Sequence, residues 1–233
     1  MLRLECTRCK SLGRPFMYYF DMERIQGNQL LNPQISVMVN GNRRTQTVEG
    51  QVGNALRLDG RWAQYAQLGQ HNDTCLGNLN QCRHGALLAG WVRLSDIRDG
   101  SYIFYTGQNG LKVRYNNGRL ESTASTGDKQ WAVTHGNMDR DKWHYVEYAW
   151  HPTRGFKVYV DQQLVGEDQN PTNRNNVVYT GENNGVYFGR GGDLREGTAD
   201  ATMDEIEYWY SNREYLVAFD FLQRGNLNSD LYI

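Results

Sequence analysis

Four cysteines, five histidines and a spread of carboxylates are the residues of this 233-residue chain whose types could do chemistry. Cys75 and Cys82 close the short stretch CLGNLNQC, which holds Gly77, Asn78 and Asn80 between them. Such a pair can ligate a metal, cycle as a redox couple or staple a loop. A zinc site needs further thiol or imidazole ligands at short spacing, and His84 is the one nearby. A redox couple needs a C-x-x-C at a helix N-terminus after a strand. Cys6 and Cys9 have that spacing in CTRC, but the segment is polar and has no strand before it. The staple is the reading taken for Cys75–Cys82, because a loop with a glycine and two asparagines curls back readily. Cys6 and Cys9 pair with each other or with a cysteine outside this chain. Asn72-Asp73-Thr74 is an N-glycosylation sequon beside the Cys75 loop. Together they point to an oxidising, extracellular setting.

Nucleophilic and acid–base constellations are weaker. There is no G-x-S-x-G elbow, and no EF-hand loop. His144 and His151 bracket an alternating apolar stretch, where an imidazole more often serves a hydrogen bond than a reaction. GRGGDLRE is not an RGD motif, because an extra glycine separates Arg190 from Asp193.

These residues must be positioned by strands. Glycine (25) and tyrosine (15) are abundant and proline (4) is rare, which suits tight turns joining aromatic-rich strands. ALRLDG and RWAQYAQLG alternate apolar with polar. GALLAGWVRL is almost continuously apolar, as in a strand buried on both faces. SYIFYTGQNGLKVRYNNGRLESTAST reads as three strands with turns at Asn109-Gly110 and Asn116-Asn117-Gly118. KWHYVEYAWH places Trp143, Tyr145 and Glu147 on one face and His144, Val146 and Tyr148 on the other. GFKVYVDQQLVGE is a hairpin turning at Asp161-Gln162, and GVYFGRG and ATMDEIEYWY add two strands. Residues 41–50 read as an exposed loop. SNREYLVAFDFLQRG alone has helical spacing, capped by Ser211 or Asn212 and ended by Gly225. The expectation is an all-β, antiparallel two-sheet jelly-roll sandwich of six or seven strands per sheet, with a short C-terminal helix. It occupies 16–233, after an N-terminal extension at 1–15. A net charge of −1 argues against nucleic acid as partner. No apolar run is long enough for membrane insertion. MLRLECTRCK lacks the apolar core of a secretory leader, and the chain reads as part of a larger secreted multidomain protein.

Four stretches, in order, resemble the laminin-G-like (concanavalin A-like) jelly-roll family. GNALRLDGRWAQYAQLG resembles its early strand pair, and CLGNLNQCRHGALLAGWVRL its Cys loop and central strand. DKWHYVEYAWHPTRGFKVYVDQQLV and ATMDEIEYWYSNRE resemble its later hairpin and closing strand. The resemblance covers about residues 16–217. It implies a non-catalytic extracellular module that recognises a protein or a glycan in an adhesion, matrix or receptor setting. It also implies one structural Ca²⁺ bridging the first and last strands, held here by Asp21 and Asp204 with main-chain oxygens. A second, rim site would use Asn72 and Asp73. The same jelly roll carries glycoside hydrolases, which need Glu, Asp and Glu at alternating positions of one strand. MDEIEYW has a different order, and period two would set Glu205 and Glu207 on one face and Asp204 on the other. A matrix or biomineral scaffold is the remaining alternative.

Among the aromatics, Trp62, Trp91, Trp143 and Trp150 are read as core. Trp131, near turns, is read as edge packing, with sugar stacking as its other use. Arg114, Arg119 and Lys129 form a modest basic face, and Arg43-Arg44 a loop pair.

Overall fold

The computed structural model describes residues 17–32, 34–136, 138–174, 185–193 and 197–210. Cys6, Cys9, the 1–15 extension and the helix expected from Ser211 lie outside them. The described strands, in chain order, are β1 (Met17–Phe20), β2 (Ile25–Gln26), β3 (Gln29–Leu30), β4 (Val37–Asn40), β5 (Gln46–Glu49), β6 (Asn54–Leu58), β7 (Tyr65–Gln70), β8 (Ala86–Leu94), β9 (Ser101–Tyr105) and β10 (Leu111–Asn116). They continue with β11 (Arg119–Ser125), β12 (Lys129–His135), β13 (Trp143–His151), β14 (Gly155–Val160), β15 (Gln163–Asp168), β16 (Thr172–Asn173), β17 (Gly185–Phe188), β18 (Gly197–Thr198) and β19 (Ala201–Trp209).

They form two sheets, the all-β sandwich expected of a jelly roll. The first runs β15-β14-β13-β8-β19-β6-β5, with β1 also on β19; the second runs β16-β12-β11-β10-β9-β17-β7-β4-β3-β2, with β18 on β9. Their eight and eleven strands exceed the six or seven expected. Part of the excess is two-residue strands too short to leave a periodic signal, and part is β5, which makes a strand of residues expected to be loop.

Alternation sets each layer. In β10, Leu111, Val113 and Tyr115 are buried while Lys112, Arg114 and Asn116 are half-buried. β8 lies between β13 and β19 and is buried along most of its length, but Trp91 and Arg93 on its outer face are half-buried, so the burial on both faces expected of its apolar run is incomplete. Between the sheets, Phe188 packs edge-on against Phe20 at 5.5 Å and Phe104 against Tyr148 at 6.1 Å, while Phe104 and Phe188 meet within the second sheet at 5.4 Å. Trp131 stands at 5.5 Å from Trp150. Trp131 is 3% exposed, so it belongs to the core and not the edge. The β14–β15 turn is as expected: Asp161 and Gln162 both have positive φ, 49° and 68°, the type I′ pattern whose twist suits a hairpin.

Trp62 leaves the core for a local reason. Asp59 Oδ1 accepts from Arg61 N at 3.1 Å and caps a short 3-10 turn, and Ala63 follows at φ 54°. The strand therefore starts only at Tyr65, and Trp62 is left 37% exposed.

Candidate functional site

Register assembles one face of the first sheet from strands distant in sequence. Trp91 on β8 is paired with Tyr145 on β13 and with Asp204 on β19. One step along, Ala89 is paired with Glu147 and Glu207. Paired residues project to the same side, so Tyr145, Trp91 and Asp204 form one row and Glu147, Ala89 and Glu207 the next. Leu87, Ala89 and Ala149 make a small apolar patch on this outer face, with Tyr145 and Trp209 packed against it.

At the row's end lies a cleft of about 350 Å³, lined by Trp91, Tyr145, Asp161 and Gln162. The Trp91 and Tyr145 rings meet edge-on, 5.3 Å apart. Trp91 is half-buried. The far wall is the β14–β15 turn, and it is anchored. Asp161 Oδ1 accepts from Tyr145 N at 2.9 Å, its Oδ2 lies 2.8 Å from His144 Nδ1, and Asp161 N donates to Tyr145 O at 2.8 Å. Beside the cleft, the Arg93 guanidinium sits 5.0 Å from the Trp143 ring centre. Trp91 and Trp143, read as core from alternation, therefore line the outer face of a sheet. Alternation gives two faces but not which one meets the second sheet.

Among the described residues, Asp161 is the one carboxylate lining the cleft, and both its oxygens are engaged. Two-acid hydrolysis needs a proton donor and a second carboxylate facing one bond. Glu207 accepts from Trp209 Nε1 at 2.8 Å, and Glu147 is 8% exposed. The cleft's geometry suits stacking of a flat ring more than acid–base work.

β1 runs along β19, from Met17 opposite Trp209 to Phe20 opposite Ile206; Asp21, just past its end, acts on Glu205, and its Oδ1 accepts from Glu23 N at 3.3 Å. A bulge breaks the simple alternation of MDEIEYW: Glu205 has φ 51°, and the pairing to β8 slips between Asp204 and Glu207. Asp204 thus joins Glu207 on the outer face, where period two had separated them. It is fully buried. Its Oδ2 accepts from Gln51 N at 2.8 Å and Val52 N at 2.9 Å, while its Oδ1 has no hydrogen-bond partner among the described residues. Burial pushes the Asp204 carboxyl up, against the pull of those amides. Burial raises Glu205 too, partly offset by the Tyr19 hydroxyl that donates to Glu205 Oε2. Glu23 is held off by Asn54, whose N donates to Glu23 Oε1 at 3.0 Å. Among the described residues no three His, Cys, Asp or Glu side chains converge as a metal cluster. Asp204 Oδ1 is a buried carboxylate oxygen, the one feature there of the hard kind that Ca²⁺ takes, and the groups shown on this carboxylate are amides.

Cys75 and Cys82 form a disulfide with Cα atoms 5.0 Å apart. Tyr208 Oη donates to Cys75 O at 2.8 Å, tying the loop to β19. Asn72 sits half-buried in the preceding turn, its carbonyl accepting from Asn78 Nδ2 at 2.9 Å. Among the described residues no helix is long and apolar enough to cross a membrane.

The comparisons agree with this architecture. The family profile described as concanavalin A-like lectin/glucanases superfamily matches residues 63–214. Domain 4 of AbnA, a GH43 extracellular arabinanase from Geobacillus stearothermophilus, in complex with arabinotriose, has the same fold, with TM-score 0.61, 13% identity, 85% of this chain and 94% of that one. The binding domain of Paraclostridial Mosquitocidal Protein 1 gives 0.59 at 11% identity, over 85% of this chain and 49% of that one. A mutant of Trypanosoma rangeli sialidase displaying trans-sialidase activity gives 0.57 at 15%, over 84% of this chain and 30% of that one. The chain thus spans nearly all of the first, about half of the second and under a third of the third. No curated protein sequence matches it. The chain belongs to the concanavalin A-like lectin/glucanase superfamily.

Proposed function

We propose, from that membership, that the chain is a non-catalytic extracellular binding module that takes a glycan in the Trp91–Tyr145 cleft. The observation that carries the reading is a half-buried Trp91 on the outer side of the sheet, edge-on to Tyr145, with an anchored turn opposite it. A sugar ring presents C–H groups to an aromatic face, and burial of that face supplies affinity. The anchored Asp161 turn and the packed sheet are pre-formed, so little entropy is lost on binding. The solved structure of AbnA domain 4 with arabinotriose supports a saccharide ligand on this fold.

The extracellular setting rests on the Cys75–Cys82 disulfide and on the sequon at Asn72, which would carry a glycan. In this reading Ca²⁺ is structural: Asp204, with Asp21 at the adjoining end of β1, would hold it and fasten the first and last strands. The module is one part, 16–233, of a larger multidomain protein.

A glycan and matrix-protein array, run with Ca²⁺ and again with chelator, tests the reading, with Trp91→Ala beside the wild type. Glycan binding by the wild type and at least a tenfold loss in Trp91→Ala, with unchanged far-UV dichroism, is the expected result. Binding that Trp91→Ala leaves intact places the site elsewhere. Binding to matrix proteins alone makes the domain a protein-adhesion module, and release of sugar from the array makes it a hydrolase.

A further inference from the structure

Asn40, Asn109, Asn117 and Asn184 each precede a glycine. In this dipeptide the main-chain nitrogen of the second residue reaches the asparagine side chain most freely, because glycine has no Cβ in the way and takes up unusual backbone angles at little cost. Asn184 lies outside the described residues. The other three place the same dipeptide in different settings. Asn40 ends β4: it is paired with Tyr65, and its Nδ2 donates to Gln67 Oε1 at 3.3 Å. A Cβ on the following Gly41 would come 2.6 Å from Gln64 Cγ, so that glycine is packed in place. Asn109 is 2% exposed. Its carbonyl accepts from Leu79 N at 2.6 Å, and the Gly110 carbonyl accepts from Ser125 N at 3.1 Å. A Cβ on Gly110 would stand 2.4 Å from Thr106 Oγ1. At neither place can the backbone turn without breaking hydrogen bonds and packing.

Asn117 and Gly118 are instead the two-residue tip of the β10–β11 hairpin, whose last ladder pair is Asn116 with Arg119. Their φ values are 49° and 76°, the pattern of a type I′ turn. Asn117, Gly118 and Arg119 are all exposed. Nothing lies within 4 Å of where a Gly118 Cβ would stand. Among the described residues, the Gly118 N–H and the side chains of Asn117 and Arg119 have no hydrogen bond or ion pair. Below the tip the hairpin is held: Arg114 pairs with Glu121, and Asn116 Nδ2 donates to Glu121 Oε1 at 2.9 Å. The tip can therefore turn while the ladder beneath it stays closed.

We infer that Asn117 is a site of spontaneous deamidation, and that the fold directs this reaction to Asn117 and away from Asn40 and Asn109. In the first step the Gly118 main-chain nitrogen gives its proton to hydroxide and attacks Asn117 Cγ. The Cγ–Nδ2 bond breaks, ammonia leaves, and a succinimide ring closes. Water then adds to one of the two ring carbonyls. Opening at Cγ leaves aspartate; opening at the main-chain carbonyl leaves isoaspartate, whose main chain runs through Cβ and is one carbon longer. Nothing is oxidised or reduced. Either product sets a carboxylate two residues from the Arg119 guanidinium, and isoaspartate no longer fits a two-residue turn of this type. The tip changes with age from a lone cation to an anion and a cation side by side. It belongs to the second sheet and the Trp91 cleft to the first, so the inference stands apart from the glycan reading.

The test is peptide mapping by mass spectrometry of the folded chain during incubation at mildly alkaline pH, with electron-transfer fragmentation to separate isoaspartate from aspartate. Expected is conversion at Asn117 at least an order of magnitude faster than at Asn40 or Asn109, with isoaspartate among the products. The rate should rise with pH, because the attacking nitrogen must lose its proton. In the chain reduced and unfolded in guanidinium the three sites should react at similar rates, so that the fold accounts for the difference. Asn117→Gln, whose longer side chain closes a ring far more slowly, should leave its peptide without the amide-to-acid mass step and keep the far-UV dichroism of the wild type. Equal rates at the three sites in the folded chain, a faster reaction at Asn40 or Asn109, reaction at Asn117 only after unfolding, or a mass step in that peptide that survives Asn117→Gln overturns the inference.

Discussion

Replacing both cysteines of the disulfide, as Cys75→Ala/Cys82→Ala, isolates what the covalent link does. The sequence separation is seven, so the closed loop is short. The chain-entropy expression for a loop of this size gives about 8 cal/mol/K, or about 2.5 kcal/mol at 25 °C, all of it exerted on the unfolded chain. For a domain of this length each kcal/mol moves the melting temperature by about 2–4 °C, so a fall of roughly 5–10 °C is expected. Both sulfurs are buried, at 3% exposure each, and losing them adds to the cost. In the folded state the loop keeps other ties: Asn78 Nδ2 to Asn72 O, Leu79 N to Asn109 O, and Tyr208 Oη to Cys75 O. The variant should therefore retain the native near-UV dichroism and its glycan binding. Scanning calorimetry reads the midpoint, and guanidinium unfolding reads the m-value. The m-value should rise, because the freed chain exposes more surface. A drop of less than about 2 °C with an unchanged m-value would refute the entropic account. It would mean that the unfolded chain keeps this loop closed without the bond.

Three further outcomes follow from the first sheet. Gly90→Ala on β8 should destabilise by more than about 2 kcal/mol in denaturant unfolding, since its Cβ would meet Ile206 Cα at 2.9 Å and Glu205 O at 3.0 Å at a φ of 153°. Near-wild-type stability would show that the β19 bulge can shift. Ca²⁺ at about 100 times its dissociation constant should stabilise the wild type by about 2.7 kcal/mol, a gain lost in Asp204→Asn; equal stabilisation of both moves the ion elsewhere. Burial raises Glu207, with the Trp209 indole opposing. Its contribution is therefore whole below the ordinary glutamate range and is lost as pH rises through the raised value. Glu207→Gln should flatten that limb of the stability–pH curve above the ordinary glutamate range, and an unchanged curve would assign it to other carboxylates.

Periodicity and turn chemistry were enough to place most of the strands. GALLAGWVRL reads as a central strand, which β8 is, though Trp91 and Arg93 on its outer side are only half-buried; Asp161-Gln162 and Asn117-Gly118 read as tight hairpin turns. The Cys75 loop, the order of the four family-like stretches and the two-sheet class were likewise local properties, written in neighbouring residues. The cleft was not. Trp91, Tyr145 and Asp204 come from three strands more than fifty residues apart, and only the pairing of β8 with β13 and β19 sets them in a row. Alternation cannot say which face of a sheet meets its partner, so Trp91 and Trp143 read as core and Trp131 as edge when the reverse holds. The bulge at Glu205 turned Asp204 to the face of Glu207, because one extra residue in a strand inverts every assignment before it. Gln64 Nε2 reaches Arg43 O and Arg44 O across some twenty residues, a long-range hydrogen bond that has no local signature. What depends on neighbours along the chain was visible in the sequence; what depends on register and on closure of the sandwich required the folded chain.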